Sequence, residues 1–152
     1  MYLDYNGALA IAQVEGGNSP VLSTNCIDMR EPVNLGAGAN KPKLMIRIIG
    51  SAASVAEGVK FELIGGTGVS GGNINAGQTP VAILELTGGQ YEVGDIFEIE
   101  PMPHEPRRYF QGRIDRGGST GDLTFDMRLT FATQQKGIMD AHQVRRPDLV
   151  QD

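Results

Sequence analysis

Leu123-Thr-Phe-Asp-Met-Arg-Leu-Thr-Phe131 sets Leu123, Phe125, Met127, Leu129 and Phe131 in strict alternation with Thr124, Asp126, Arg128 and Thr130. A period of two sends every apolar side chain to one face of a β-strand and every polar one to the other. Weaker segments repeat the pattern between Gly- and Pro-rich turns, and no stretch between them reads as a long helix. The chain therefore reads as an all-β sandwich or barrel. Strands are expected at Val21–Asp28, Lys43–Ile49, Val59–Ile64, Val81–Leu86, Asp95–Glu100, Arg107–Ile114 and Leu123–Phe131, with a shorter one at Leu9–Val14.

Proline placement supports this division, because proline cannot donate to a ladder and is expelled from central strands. Pro20, Pro32, Pro42, Pro80, Pro101, Pro103, Pro106 and Pro147 all fall between or outside the expected strands. Leu44-Met-Ile-Arg-Ile-Ile49 is almost continuously apolar and reads as a central strand covered on both faces, whereas Val59-Lys-Phe-Glu-Leu63 reads as having one wet face. The expected core is Val59, Phe61, Leu63, Ile83, Phe97, Ile99, Phe110, Ile114, Leu123, Phe125, Met127, Leu129 and Phe131.

Bulk composition bounds the rest. A chain of 152 residues is one domain of ordinary size, able to remove on the order of 70% of its unfolded surface from water. Cys26 is the only cysteine, so no intrachain disulfide can form, which fits assembly in a reducing cytoplasm. It reads as a small core residue rather than a reactive one. The segment Met1-Tyr-Leu-Asp-Tyr-Asn-Gly7 lacks the basic start and apolar run of a signal peptide, and no stretch reaches membrane-spanning length. A net charge of −5 argues against nucleic-acid binding, since neutralising phosphates takes a basic surface. The 21 glycines indicate many turns.

The domain is expected to span residues 1–133, with an N-terminal arm at 1–8 and a polar tail at 134–152 that either frays or orders on a partner. The loop from Gly65 to Gly77 has too few large side chains for a core of its own, so it is expected to be mobile or ordered only against a neighbour. Arg116-Gly-Gly-Ser-Thr-Gly121 reads as a hairpin-like connection.

Candidate chemical motifs fail on context. Gly66-Thr-Gly-Val-Ser-Gly71 matches G-x-G-x-x-G, yet Gly72-Asn-Ile-Asn-Ala-Gly77 and Pro80 follow, and these will not propagate the helix a pyrophosphate needs. His104 and His142 are the only histidines, and without a cysteine partner they make a poor zinc set. His104, beside Glu105, reads as an exposed loop residue. No G-x-S-x-G elbow occurs. Glu98 with Glu100, and Asp122 with Asp126, share a strand face and read as solvated surface. No catalytic residue, cofactor or metal is expected. Arg107, Arg108, Arg113 and Arg116 lie close together near Tyr109 and Phe110. Arginine among aromatics is the composition of protein interfaces, and equally of arginines that balance acids on their own sheet.

Four segments carry a resemblance: Met1-Tyr-Leu-Asp4, Ser23-Thr-Asn-Cys-Ile-Asp28, Leu35-Gly-Ala-Gly38 and Pro106-Arg-Arg-Tyr-Phe110. Together they resemble the capsid cement proteins of tailed bacteriophages, typified by that of a short-tailed Bordetella phage. The resemblance covers most of residues 1–131 and departs from the family in the loop 65–77 and after Gln134. It implies a jelly-roll β-sandwich of about eight antiparallel strands that forms dimers or trimers. Such a protein binds the outside of the mature icosahedral shell and ties adjacent major capsid subunits together. The partners implied are the major capsid protein and further copies of the chain, with no nucleic acid and no membrane. The location implied is the virion exterior, after assembly in the host bacterial cytoplasm. Interface candidates are Tyr2, Leu3, Asp4, Tyr5, Arg107, Arg108, Tyr109, Phe110, Arg145 and Arg146. A rival reading is a carbohydrate- or receptor-binding jelly roll. Against it, the chain has no Trp and only Tyr2, Tyr5, Tyr91 and Tyr109 to build an aromatic platform. An enzyme would need a pocket of convergent titratable groups that the sequence does not indicate.

Overall fold

A computed structural model describes residues 7–16, 20–38, 41–51, 58–87, 91–117 and 121–130. Ten strands follow in chain order: β1 (Ala8–Glu15), β2 (Val21–Val33), β3 (Lys43–Ser51), β4 (Val59–Gly66), β5 (Gly68–Ser70), β6 (Asn73–Ala76), β7 (Thr79–Leu86), β8 (Ile96–Ile99), β9 (Arg107–Asp115) and β10 (Leu123–Thr130). One sheet has the order β1-β10-β3-β8, a second has β2-β9-β4-β7, and β5 and β6 form a separate ribbon. The pairs β1·β10, β2·β9, β3·β8 and β4·β7 are nested and antiparallel, as if one long hairpin had been rolled into two layers. This is the topology of a jelly roll.

The alternation in β10 determines which side faces inward. Leu123, Phe125, Met127 and Leu129 are wholly buried, while Thr124, Asp126 and Arg128 are half-exposed. They meet Phe61, Leu63, Phe110 and Ile114 from the second sheet in one continuous core. Phe61 and Phe125 contact edge to face, with ring centroids 5.3 Å apart, a favoured arrangement of ring quadrupoles. Gly112 in β9 gives Met127 its room, because a Cβ there would collide with Met127 Sδ and force that side chain to shift.

All eight expected strands are present, but several details differ. Pro32 lies inside β2 and Pro80 inside β7. Both are edge strands at irregular register, where a missing N–H costs no ladder bond. β3 is a central strand with only one covered face: Leu44, Ile46 and Ile48 are buried, whereas Ile49 is exposed. Conversely β4 is covered on both faces at its C-terminal half, where the β5–β6 ribbon packs Ile74 against Ile64 and Cys26. Ile83 is exposed, because the register shift beside Ile64 leaves Ala82, Leu84 and Leu86 opposite the inward residues Leu63, Phe61 and Val59. Phe97 and Ile99, on the short edge strand β8, are half-buried. Ala8, expected in the arm, belongs to β1. The tail at 134–152 and the core candidate Phe131 lie outside the described residues.

Glycine earns its place in the ribbon turn. Gly71 and Gly72 both have positive φ, 60° and 82°, and close a two-residue hairpin between Ser70 and Asn73, the backbone that matches strand twist. Among the described residues two that are not glycine share that region: Ala12 at φ 48° and Arg30 at φ 73°. Each is held by a carboxylate, Ala12 N–H donating to Asp126 Oδ1 and Arg30 N–H to Asp28 Oδ1, both at 2.7 Å.

Candidate protein-interaction surface

Three of the four segments that carry the resemblance meet at one end of the sandwich. In the β2·β9 ladder Ile27 faces Phe110 and Asp28 faces Tyr109. Arg108 closes this end: its Nε and Nη2 donate to Asp28 Oδ1 and Oδ2 at 2.7 and 2.9 Å, a two-bonded fork. The same guanidinium lies 5.0 Å from the centroid of the Tyr109 ring, within cation–π range. The hydrogen bonds from Arg108, aided by that from the Arg30 amide, hold the Asp28 carboxyl below the usual carboxylate range against the opposing effect of burial. Asp28 in turn raises Arg108 further above its already high value.

The loop after β2 is fastened to the loop before β9. Asn34 Oδ1 accepts from the amides of Gly36 and His104, both at 3.1 Å. The Leu35 amide donates to His104 Nε2 at 3.0 Å. Gly36 sits so close to the backbone of Met102 and Pro103 that no Cβ fits. His104 also meets Phe110 edge to face at 5.8 Å. It is therefore a half-buried tie between loops, not the exposed residue expected from sequence. Its polar neighbours in the other loop account for the difference.

Arg107 reaches the ribbon, its Nε donating to the Gly77 carbonyl at 3.1 Å, and its Nη1 lies 3.8 Å from Glu105. Arg113 pairs at 2.8 Å with the nearly buried Glu62 directly across the β4·β9 ladder. Arg116 is buried and donates to the carbonyls of Glu15 and Gly121. Of the interface candidates, Arg107, Arg108 and Tyr109 are thus brought together at the surface. Phe110 is wholly buried and belongs to the core beneath them, because its side chain falls on the inward phase of β9. Tyr2, Leu3, Asp4, Tyr5, Arg145 and Arg146 lie outside the described residues, as does His142.

Sequence reasoning missed Gln111. Its side chain is wholly buried and pegs the ribbon to the second sheet, donating to the Ser23 carbonyl and Asn73 Oδ1 and accepting from the Ile74 amide, each at 2.9 Å. The one available signal was a lone amide between Phe110 and Gly112 in a buried strand. Cys26 is buried as expected, and burial together with nearby Asp28 pushes its thiol up to about 11.

Among the described residues no group of three or more His, Cys, Asp or Glu side chains could hold a metal ion, and no helix is long and apolar enough to cross a membrane. Of the paired acids, Glu98 lies on the surface 4.0 Å from Lys43, and Asp126 fixes the irregularity in β1. What the arrangement offers chemically is a rigid, hydrogen-bonded end with charged and aromatic groups on its surface. No family model matches the chain, and no curated protein does either.

Proposed function

We propose that this chain is a structural virion protein that binds the outer surface of an icosahedral phage capsid and cements adjacent major capsid subunits around the packaged DNA. The observation that carries this reading is the convergence of Ser23–Asp28, Leu35–Gly38 and Pro106–Phe110. Segments far apart in sequence, which resemble those of phage cement proteins, join at one end of an eight-stranded jelly roll through the Arg108–Asp28 fork and the His104 tie. A cement protein needs a rigid body and surfaces that reach neighbours, and the hydrogen-bonded framework supports the first of these.

The physical action is mass action. A protein that binds only the assembled, expanded shell stabilises that state, and many copies add their contributions even when each contact is modest. Arg107, Arg108 and Tyr109 are the proposed contacts on the described surface, joined by Tyr2 to Tyr5 and by Arg145 and Arg146. Self-association as a dimer or trimer would let one unit bridge two capsid subunits. The tyrosines weigh against a sugar platform: Tyr91 is buried and Tyr109 is partly covered by Arg108.

The test is co-sedimentation of the purified protein with heads of its parent phage. Saturable binding to expanded heads, weaker binding to unexpanded ones and loss of affinity in Arg108→Ala are the expected results. Protein that stays in the supernatant with both kinds of head would overturn the proposal, and a specific hit on a glycan array would favour the carbohydrate reading. Light scattering separates dimer from trimer.

A further inference from the structure

The tie between the two loops has a built-in dependence on protonation. The Leu35 amide can only donate, so His104 Nε2 must accept, which places the ring proton on Nδ1. Nδ1 is matched to that role: it lies 2.6 Å from the Glu105 carbonyl, an acceptor. The imidazole is thus held as one neutral tautomer by a donor on one side and an acceptor on the other. A second proton has only Nε2 to occupy, where it would point at the Leu35 N–H.

We propose that His104 is an acid-released latch, which holds the Asn34–Gly38 loop while its imidazole is neutral and lets it go when Nε2 takes up a proton opposite the Leu35 amide. The latch holds more than backbone, because the Leu35 side chain is buried and belongs to the main core. Release therefore loosens a core residue at the end of the sandwich that carries Arg107, Arg108 and Tyr109. The bonds from Asn34 Oδ1 to Gly36 and His104 do not titrate and remain as the loop's residual tether.

The charges around the ring do not duplicate this response. Residues 34–38 carry none. Glu105, in the histidine's own loop, extends its side chain into solvent and lies near Arg107 of β9. Asp28 and Arg108 neutralise each other on the neighbouring strands, and the ring also meets the uncharged Phe110.

Amide exchange and imidazole nitrogen shifts, followed by NMR on the full chain, test it. After correction for intrinsic rates, exchange at Leu35 is expected to rise about fivefold to tenfold between about pH 7.5 and about pH 5, the size of one lost hydrogen bond. Exchange at Leu63, in the centre of the second sheet, should follow only the change in global stability. The nitrogen shifts should show the Nδ1–H tautomer at the upper pH. In His104→Gln, whose amide oxygen accepts without titrating, Leu35 should stay protected at both. Unchanged Leu35 exchange across the range, an Nε2–H tautomer at the upper pH, or wild-type pH dependence in His104→Gln would each overturn the latch. If that variant does not fold, the wild-type Leu35 amide shift and imidazole shifts must share one midpoint; separate midpoints overturn it equally.

Discussion

Replacing Gln111 by alanine removes the peg between the ribbon and the second sheet. Three hydrogen bonds of 2.9 Å are lost at a side chain with no exposed surface. At about 1 kcal/mol net per bond this amounts to about 3 kcal/mol. Two effects act on that figure in opposite directions. The Ile74 amide loses its acceptor in a dry site, which adds roughly 1–3 kcal/mol if the ribbon stays in place. The ribbon, however, can lift and expose that amide to water, which caps the total at the cost of uncovering Ile64, Ile74 and Cys26. The expected result is a loss of about 2–4 kcal/mol in urea unfolding. Exchange at the Ile74 amide should accelerate by at least about thirtyfold, since each 1.4 kcal/mol is tenfold. Core amides such as Leu63 should follow only the global change. A stability loss under about 1 kcal/mol with Ile74 still protected would refute the assignment of Gln111 as the ribbon's anchor.

Further outcomes follow from the same contacts. Gly112→Ala drives a methyl group into Met127 Sδ between the sheets, and should cost about 1–3 kcal/mol in chemical denaturation, partly recovered when Met127 is also shortened. Asp28→Asn should flatten part of the acid dependence of stability. The folded-state value of Asp28 is lowered, first by the Arg108 hydrogen bonds, so its contribution is fully present above the unfolded carboxyl range and is lost as pH falls through the lower folded value. Wild type should lose that increment on acidification and Asp28→Asn should not, as thermal melts across the acid range will show. Cys26, buried with a thiol pushed up to about 11, should resist a maleimide at about pH 8 in native buffer and react promptly in urea; rapid labelling of the native protein would contradict its place beneath the ribbon.

The parts of this fold that could be read from sequence are those governed by neighbours along the chain. From Leu123 to Leu129 the pleat alone decides which side chains face inward, and burial follows the alternation. Reading fails where coverage comes from elsewhere. Ile49 is as apolar as Ile48, yet it is exposed, because among the described residues no layer covers that face of the first sheet. Glu62 looks like a solvent residue, yet it is buried and pairs with Arg113 on the adjacent strand. Ile83 faces outward, against expectation, because one irregular register step, invisible in the sequence, reverses the phase of β7.

The candidate surface was legible in the same limited way. Arg107, Arg108 and Tyr109 stand out by composition, but Asp28, the partner that orders Arg108, is 80 residues distant. Phe110, the next residue along β9, turns into the core instead. His104 and Gln111 draw their roles from Leu35, Ser23 and Ile74, contacts that no local pattern encodes. The ribbon was the nearest miss: Val69 and Ile74 flank a Gly71-Gly72 turn in hairpin register, a signal obscured by the glycines around it.

The proposed role is tested most directly by warming DNA-filled heads prepared with and without this protein and recording the temperature at which DNA escapes. The account predicts that stripped heads release their DNA at a lower temperature and that adding back purified protein, but not Arg108→Ala at equal concentration, restores the original value. Stripped and complete heads that release DNA at the same temperature would contradict it.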